Sequence, residues 1–491
     1  MKYHSDNQDS YKKAFAALFV LGVILHLAIS SLFPLAMDEA YYWTWSRQLR
    51  LSYYDHPPMV AYLIRLSTTL FGTNEFSVRL AAVIFGMGVC YISYKLGTTI
   101  FKSERCGFFA ALITAVIPIY GAGRLIITPD SPQAFFWILS LYLYYRAAEE
   151  EERKWWVYGG IATGLGLLSK YTAVLIFPSL AIYLILSPTK RKWFLKPEPY
   201  ISILIALILF APVIIWNWQR EWVSFAFQFS HGLTENTPPG LTGLTEYMGT
   251  QVLLISPFLF LSIIGASIVA LYKGLKYKDD RYLFLFSMFI PIFLFFAVAS
   301  LRSSPEANWP AFSYAGGIVA LAGVYDSLKR KKWARWGAWV SLSTAFLLTS
   351  LLYLFTISPI IIFPKIEEVH FGWPVIGKEV SIVSKNMTPV GGEPFVFSNH
   401  YQLSGELSFY MEGRPTTYLI KGTERYEYAN LSDLKGKNAI YVGYDGDSIE
   451  KIKGYFNNIE EVKTVAIFKK GKTLKTFKIY TCYHYKGGLI D

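Results

Sequence analysis

A chain of 491 residues that is 53% hydrophobic and 17% aromatic, with a positive mean hydropathy, carries more apolar side chain than one soluble core absorbs. Its formal charge of +12 is concentrated in short segments between apolar runs, which argues against a nucleic-acid-binding surface and for a membrane protein with a positive-inside bias. The three cysteines form no disulfide framework and no metal-ligand spacing, and the scattered glycines form no phosphate-loop or dinucleotide fingerprint, so ATP-driven and nicotinamide-dependent chemistry have no support.

The first apolar run, Ala14 to Ala36, has no formal charge and suffices to cross a hydrocarbon core of roughly 30 Å. It ends without a small-residue cleavage site, so it reads as a retained span rather than a removed signal peptide. Directly after it come Asp38 and Glu39, then Tyr54-Asp55-His56-Pro57-Pro58. Carboxylates are costly to hold beside lipid, so acids at a membrane exit are functional candidates by default. Further along, Lys/Arg-rich loops alternate with loops poor in both. The rich ones include Lys102 with Arg105, Lys190-Arg191-Lys192, and Lys329 to Lys332, and they predict the cytoplasmic side. The opposite loops carry Asp38 to Pro58, Arg124 to Pro132, Ser169-Lys170, Asn217 to Tyr247 and Arg302 to Pro310.

This alternation predicts about eleven transmembrane helices over residues 1–357, with a cytoplasmic N-terminus. From residue 358 to 491 polar residues return and apolar runs shorten to strand length, at Pro394–Phe397, Ala439–Val442, Val465–Phe468 and Phe477–Tyr483. Tyr401–Tyr410 and Ser448–Phe456 suit short helices. The expected fold is therefore a multi-pass α-helical membrane protein with a small C-terminal extracytoplasmic α/β domain. Lys170 and Arg302 lie on loops that the positive-inside pattern leaves free of cations, and such exceptions suit an anion. Snorkelling to the headgroups is the plainer alternative.

Asp38-Glu39, Tyr54-Asp55-His56-Pro57-Pro58, Arg124 through Asp130 to Pro132, Leu168-Ser169-Lys170-Tyr171 and Glu306-Ala-Asn308-Trp309-Pro310 together resemble the family 39 type of membrane glycosyltransferases. That group includes the dolichyl-phosphate-mannose protein mannosyltransferases and the bacterial lipid A aminoarabinose and galacturonic acid transferases. The resemblance covers nearly all of the membrane part. It implies the GT-C fold and a plasma-membrane enzyme that inverts configuration while moving sugar from a polyprenyl-phosphate donor to a lipid A, other glycolipid or glycan, or protein acceptor. A polyprenyl-linked lipid or sugar flippase is the alternative, although no repeated halves are visible.

Such transfer needs a base for the acceptor proton and cations for the leaving phosphate. The resemblance implies Asp38 as that base, against a plain helix-capping role. Glu39 either positions a substrate hydroxyl or favours the positive end of the same helix. Asp55 is expected to position sugar or acceptor beside His56. That pair could also hold a divalent metal, though two ligands are too few to assign one. Asp130 is expected both to cap its helix and to contribute to catalysis, with Arg124 as a cation on the same loop. Lys170 and Arg302 are the expected phosphate grip, helped by Arg124. Glu306, Asn308 and Trp309 are expected to contact sugar or acceptor, Trp309 alternatively serving as an interfacial anchor. The Trp-rich loop from Asn217 to Tyr247 reads as an interfacial segment, either an anchor or a gate for lipid.

Overall fold

The structure is a computed structural model that describes residues 2–233, 240–303, 306–357, 370–420, 425, 434–469 and 471–489. The chain folds as two compact units. The first comprises Met1–Ser30, Asp55–Val60 and Arg79–Tyr353, and the second Ser31–Tyr54, Ala61–Val78 and Leu354–Asp491. Pro238 and Pro239, within the Trp-rich loop from Asn217 to Tyr247, lie outside the described residues.

Among the described residues six helical segments are long and apolar enough to cross a membrane: Gln8–Ile29, Glu75–Phe101, Glu198–Trp218, Pro257–Tyr277, Asp280–Ala299 and Lys332–Ile357. A further pair, Glu104–Val116 and Pro118–Leu125, is bent by 69°. The bend follows from Pro118, which has no N–H to continue the helix and holds Ile117 extended at φ −74°, ψ 128°. Loop alternation leads to a larger number of crossings because other helices are internal and need not be apolar throughout. Asp130–Glu150 is one: Tyr144 is fully buried, and its hydroxyl lies 3.0 Å from Thr163 Oγ1 and 2.8 Å from Ser202 Oγ. A hydroxyl satisfied by neighbouring helices is compatible with a dry interior, yet it lowers the hydropathy of the segment.

Small residues set the spacing in this bundle. In the helix Arg153–Ser169, a Cβ at Gly160 would stand 2.5 Å from the Ser202 carbonyl oxygen, and one at Gly164 2.8 Å from Leu209. The glycines thus let the helix lie against Glu198–Trp218 at close range. The main core is rich in rings, with Trp137, Tyr183, Phe284 and Tyr314 all buried. Within the first helix, Lys2–Ile29, His26 Nδ1 bonds to the Gly22 carbonyl at 2.6 Å, while its Nε2 lies 2.7 Å from the Tyr353 hydroxyl.

In the second unit a five-stranded mixed sheet has the order β2-β1-β3-β5-β4. The strands are β1 (Phe395–Ser398), β2 (Thr417–Leu419), β3 (Ala439–Tyr444), β4 (Asn458–Lys469) and β5 (Lys472–Tyr483). β1 runs parallel to β2 and β3, whereas β5 is antiparallel to β3 and β4. Alternation along the strands covers both faces. Val396, Ile440, Val442, Phe477 and Ile479 pack on one side with Trp373, Leu403 and Leu407, while Phe397, Tyr441, Tyr480 and Cys482 pack on the other. The helix Tyr401–Tyr410 has the bounds its sequence suggests, and the expected helix over 448–456 is a single turn, Glu450–Lys453. β2 and the helix Trp373–Gly391 have no counterpart in the sequence reading. Three residues are too few to display alternation, and the β-branched Val375, Ile376, Val380, Ile382 and Val383 blur the helical period of the latter.

Candidate active site

In the membrane unit, the helix Arg153–Ser169 ends at Lys170, whose extended backbone (φ −157°, ψ 141°) precedes a 3₁₀ turn over Tyr171–Leu175. This aims the side chain inward. Lys170 Nζ meets Asp130 Oδ1 at 2.7 Å, with the lysine side chain 6% exposed and the aspartate 24%. The other aspartate oxygen, Oδ2, accepts from Asn308 Nδ2 at 3.0 Å. An ionised carboxylate only accepts, so the Asn308 amide must present its nitrogen there. Asp130 stands in the first helical turn, but the N-cap position is Pro129 and no side chain caps it, contrary to the capping role expected of Asp130. Its carboxylate is instead spent on Lys170 and Asn308.

Asn308 is held by its surroundings. Gln251 Nε2 donates to the Ala307 carbonyl at 2.8 Å, and the Tyr314 hydroxyl donates to Gln251 Oε1 at 3.0 Å. Trp309 follows directly and packs edge-on against Phe296. Arg302 and Glu306 are exposed on the same loop region.

Lys170 and Trp309 border an apolar cavity of about 520 Å³, walled by Leu175, Phe177, Leu207, Phe210, Phe295 and Ala299 among others. Its further wall is the helix Val223–Leu233, which contributes Phe225, Gln228 and Phe229. Those three share one helical face by their i, i+3, i+4 spacing. Sequence reasoning took this wall as part of an interfacial segment, an anchor or a gate for lipid, and the spacing after Trp222 was the available signal for its cavity-facing side. Gln228 Nε2 also donates to the Asp55 main-chain carbonyl at 2.6 Å, tying the Asp55-His56-Pro57-Pro58 turn to the cavity wall. Asp55 is buried and His56 half-buried. A second, smaller cavity of about 170 Å³ reaches Asp130 and Asn308 from between Gly86, Tyr120, Ile126 and Phe312.

Arg124 departs from its expected place in the phosphate grip. It is buried, and its guanidinium donates to the Thr114 and Ala115 carbonyls at 3.3 and 2.6 Å and to His26 Nε2 at 3.1 Å. Those carbonyls end the helix Glu104–Val116 at the bend, where intrahelical donors run out. Arg124 supplies them.

In the second unit, Asp38 lies in the first turn of the helix Met37–Arg47 and accepts from Gln402 Nε2 at 2.8 Å. Glu39, fully buried beside it, reaches back and accepts from the Ala36 N–H at 2.9 Å. That bond is the carboxylate half of a capping box. The helix Tyr401–Tyr410 crosses this segment closely enough that a Cβ at Gly405 would stand 2.9 Å from the Tyr41 nitrogen. Arg47 Nη1 donates to Ser408 Oγ at 2.9 Å, and Trp43 packs edge-on to Phe409. Arg425 lies over the rings of Tyr54 and Tyr401 at 4.9 and 4.8 Å. Among the described residues, no group of three or more His, Cys, Asp or Glu gathers at metal-binding distance.

The profile of the dolichyl-phosphate-mannose-protein mannosyltransferase family matches residues 55–216. Over 439 residues, 86% of this chain and 89% of the relative, the sequence is 25% identical to a lipid A galacturonosyltransferase of Rhizobium johnstonii. The fold is that of the solved ArnT from Cupriavidus metallidurans, with a TM-score of 0.68 at 15% identity, covering 96% of this chain and 98% of that one. The chain has the GT-C fold, and its sequence relatives are membrane glycosyltransferases. An undecaprenyl phosphate-alpha-4-amino-4-deoxy-L-arabinose arabinosyl transferase of Pectobacterium carotovorum is also 25% identical, over 52% of this chain and 47% of the relative. The Archaeoglobus fulgidus oligosaccharyltransferase shares the fold more distantly, with a TM-score of 0.54 at 12% identity over 88% of this chain and 69% of its own. These relatives favour transfer chemistry over the flippase alternative.

Proposed function

We propose that this glycosyltransferase moves a sugar from a polyprenyl-phosphate carrier to a glycolipid or glycan acceptor at the outer face of the plasma membrane, inverting the anomeric centre. The observation that carries this reading is the apolar cavity of about 520 Å³ that Lys170 borders. A polyprenyl chain is apolar along its length and anionic at one end, which is the chemistry of this cavity and its single bordering lysine. Support also comes from the ArnT structure bound to undecaprenyl phosphate, which shares the fold at a TM-score of 0.66 and 16% identity, over 95% of this chain and 98% of that one. The positive-inside loops support a cytoplasmic N-terminus and an outer C-terminal domain.

In the proposed step, Asp38 takes the proton of an acceptor hydroxyl as that oxygen bonds to the anomeric carbon. The bond from that carbon to the phosphate oxygen breaks on the opposite face, and polyprenyl phosphate leaves. Lys170 meets the charge that collects on the leaving phosphate, where a fixed cation is worth more than in water. Asp130 and Asn308 hold the lysine in position meanwhile. Trp309, which borders the same cavity, offers a ring face to the sugar. A single carboxylate suffices for an inverting displacement because no covalent glycosyl-enzyme forms.

The test is transfer in proteoliposomes with a radiolabelled polyprenyl-phosphate sugar. Label passes to the acceptor with the wild-type protein and stays on the carrier with Asp38→Asn; transfer that survives in this variant removes Asp38 as base. Mass spectrometry of membrane glycolipids from a deletion strain identifies the sugar and the acceptor by what is missing.

A further inference from the structure

The helix Tyr401–Tyr410 is locked to its surroundings on several sides. Leu403 and Leu407 are buried in the sheet core, Ser404 Oγ donates to the Tyr418 carbonyl at 3.0 Å, and Thr417 Oγ1 donates to the Ser404 carbonyl at 2.7 Å. Against the Met37–Arg47 segment it has no slack, since Gly405 already touches the backbone at Ala40 and Tyr41. From the first turn of this fixed helix Gln402 reaches Asp38 Oδ1 at 2.8 Å.

Gln402 donates to the Asp38 carboxylate without bringing a charge of its own. Lysine or arginine would hold the charge more strongly, but a cation at that distance makes a carboxylate a weaker base by favouring its ionised form. An amide N–H fixes the orientation of the carboxylate while depressing its basicity far less. We propose that Gln402 is a positioning residue for transfer: from the C-terminal domain it orients the Asp38 carboxylate toward the acceptor hydroxyl. This rests on the assignment of Asp38 as base. It gives the C-terminal domain a direct part in the chemistry, through a residue 364 positions along the chain from the acid.

The experiment compares Gln402→Ala, Gln402→Glu and Gln402→Asn in full-length protein reconstituted with a radiolabelled polyprenyl-phosphate sugar, recording kcat, the KM for donor and the pH profile of kcat. Gln402→Ala is expected to lower kcat about tenfold or more with donor KM unchanged. Its acidic limb moves to higher pH, because the lost N–H no longer favours the ionised acid. Gln402→Glu moves the limb further in the same direction through like-charge repulsion, although its size and shape are conserved. Gln402→Asn, which keeps the amide on a shorter arm, falls between wild type and alanine. Thermal unfolding of each variant separates loss of fold from loss of positioning, and Gln402→Glu serves as the informative variant where alanine unfolds. An unmoved acidic limb in both Gln402→Ala and Gln402→Glu, in protein whose Asp38→Asn variant is inactive, overturns the inference while leaving Asp38 as base. Activity retained in Asp38→Asn overturns the underlying assignment instead.

Discussion

Asp130 and Asp38 are both acids at the start of a helix, and their partners set them apart. Asp130 is bonded on one oxygen to a buried ammonium and on the other to an amide. Asp38 receives an amide from Gln402 and is half-buried. A carboxylate paired with a lysine at 2.7 Å is an anchor for that cation, whereas the Gln402 amide orients Asp38 without adding a charge of its own. On the proposed assignment the labour is divided between them: Asp38 handles the proton, and Asp130 holds the cation proposed to meet the phosphate.

Replacement of the two acids should break this comparison if it is wrong. Asp38→Asn is expected to reduce transfer at least about a hundredfold while leaving donor retention and thermal unfolding near wild type, since a general base contributes on that scale. Scintillation counting of acceptor and carrier fractions, beside a melting curve, reads both. Lys170→Met should lower transfer and also destabilise the fold by about 3 kcal/mol, because it leaves the partly buried Asp130 unpaired. Adding Asp130→Asn should restore the melting temperature without restoring transfer, which separates the ion pair's structural part from its part at the phosphate. Ala299→Trp, which fills the cavity wall, should raise the KM for a long-chain donor several-fold and spare one with a short lipid tail.

Gly405→Ala sharpens the Asp38 side. A Cβ 2.9 Å from backbone forces the two helices apart, with an expected cost of about 1–3 kcal/mol, seen as a lower melting temperature accompanied by lower kcat. The smallest effect is a control. Burial pushes the Cys482 thiol up to about 12, so below that pH it stays protonated and a maleimide at pH 8 should label it only after denaturation. Labelling in a native variant would reveal that the sheet beneath the Gln402 helix has opened.

The sequence made some of this visible and hid the rest for identifiable reasons. Lys170 stood out because it broke the positive-inside pattern, and Asp130 and Asn308 because of the motifs around them. Their pairing was not legible, since Asp130 lies 40 residues from Lys170 and 178 from Asn308 and no local spacing encodes either contact. Arg124 looked like an available cation because its partners are main-chain carbonyls exposed by a proline break, which have no side-chain signature. The strands β1, β3 and β5 declared themselves through apolar runs, whereas β2 exists by pairing with β1 alone. Gln402 sat within a recognisable stretch from Ser398 to Tyr410, but its reach to Asp38 depends on the register between two helices.

The contact between His26 and Tyr353 has a consequence for biosynthesis. The two residues are 327 positions apart, on the first and last of the long apolar helices among the described residues, and Arg124 joins the same imidazole from a segment between them. During translation His26 is made long before Tyr353, and until then the Gly22 carbonyl and, later, Arg124 are the partners its ring can find. The hydrogen bond to Tyr353 therefore forms only once the last of these helices has been made, and it ties the first of them to the last.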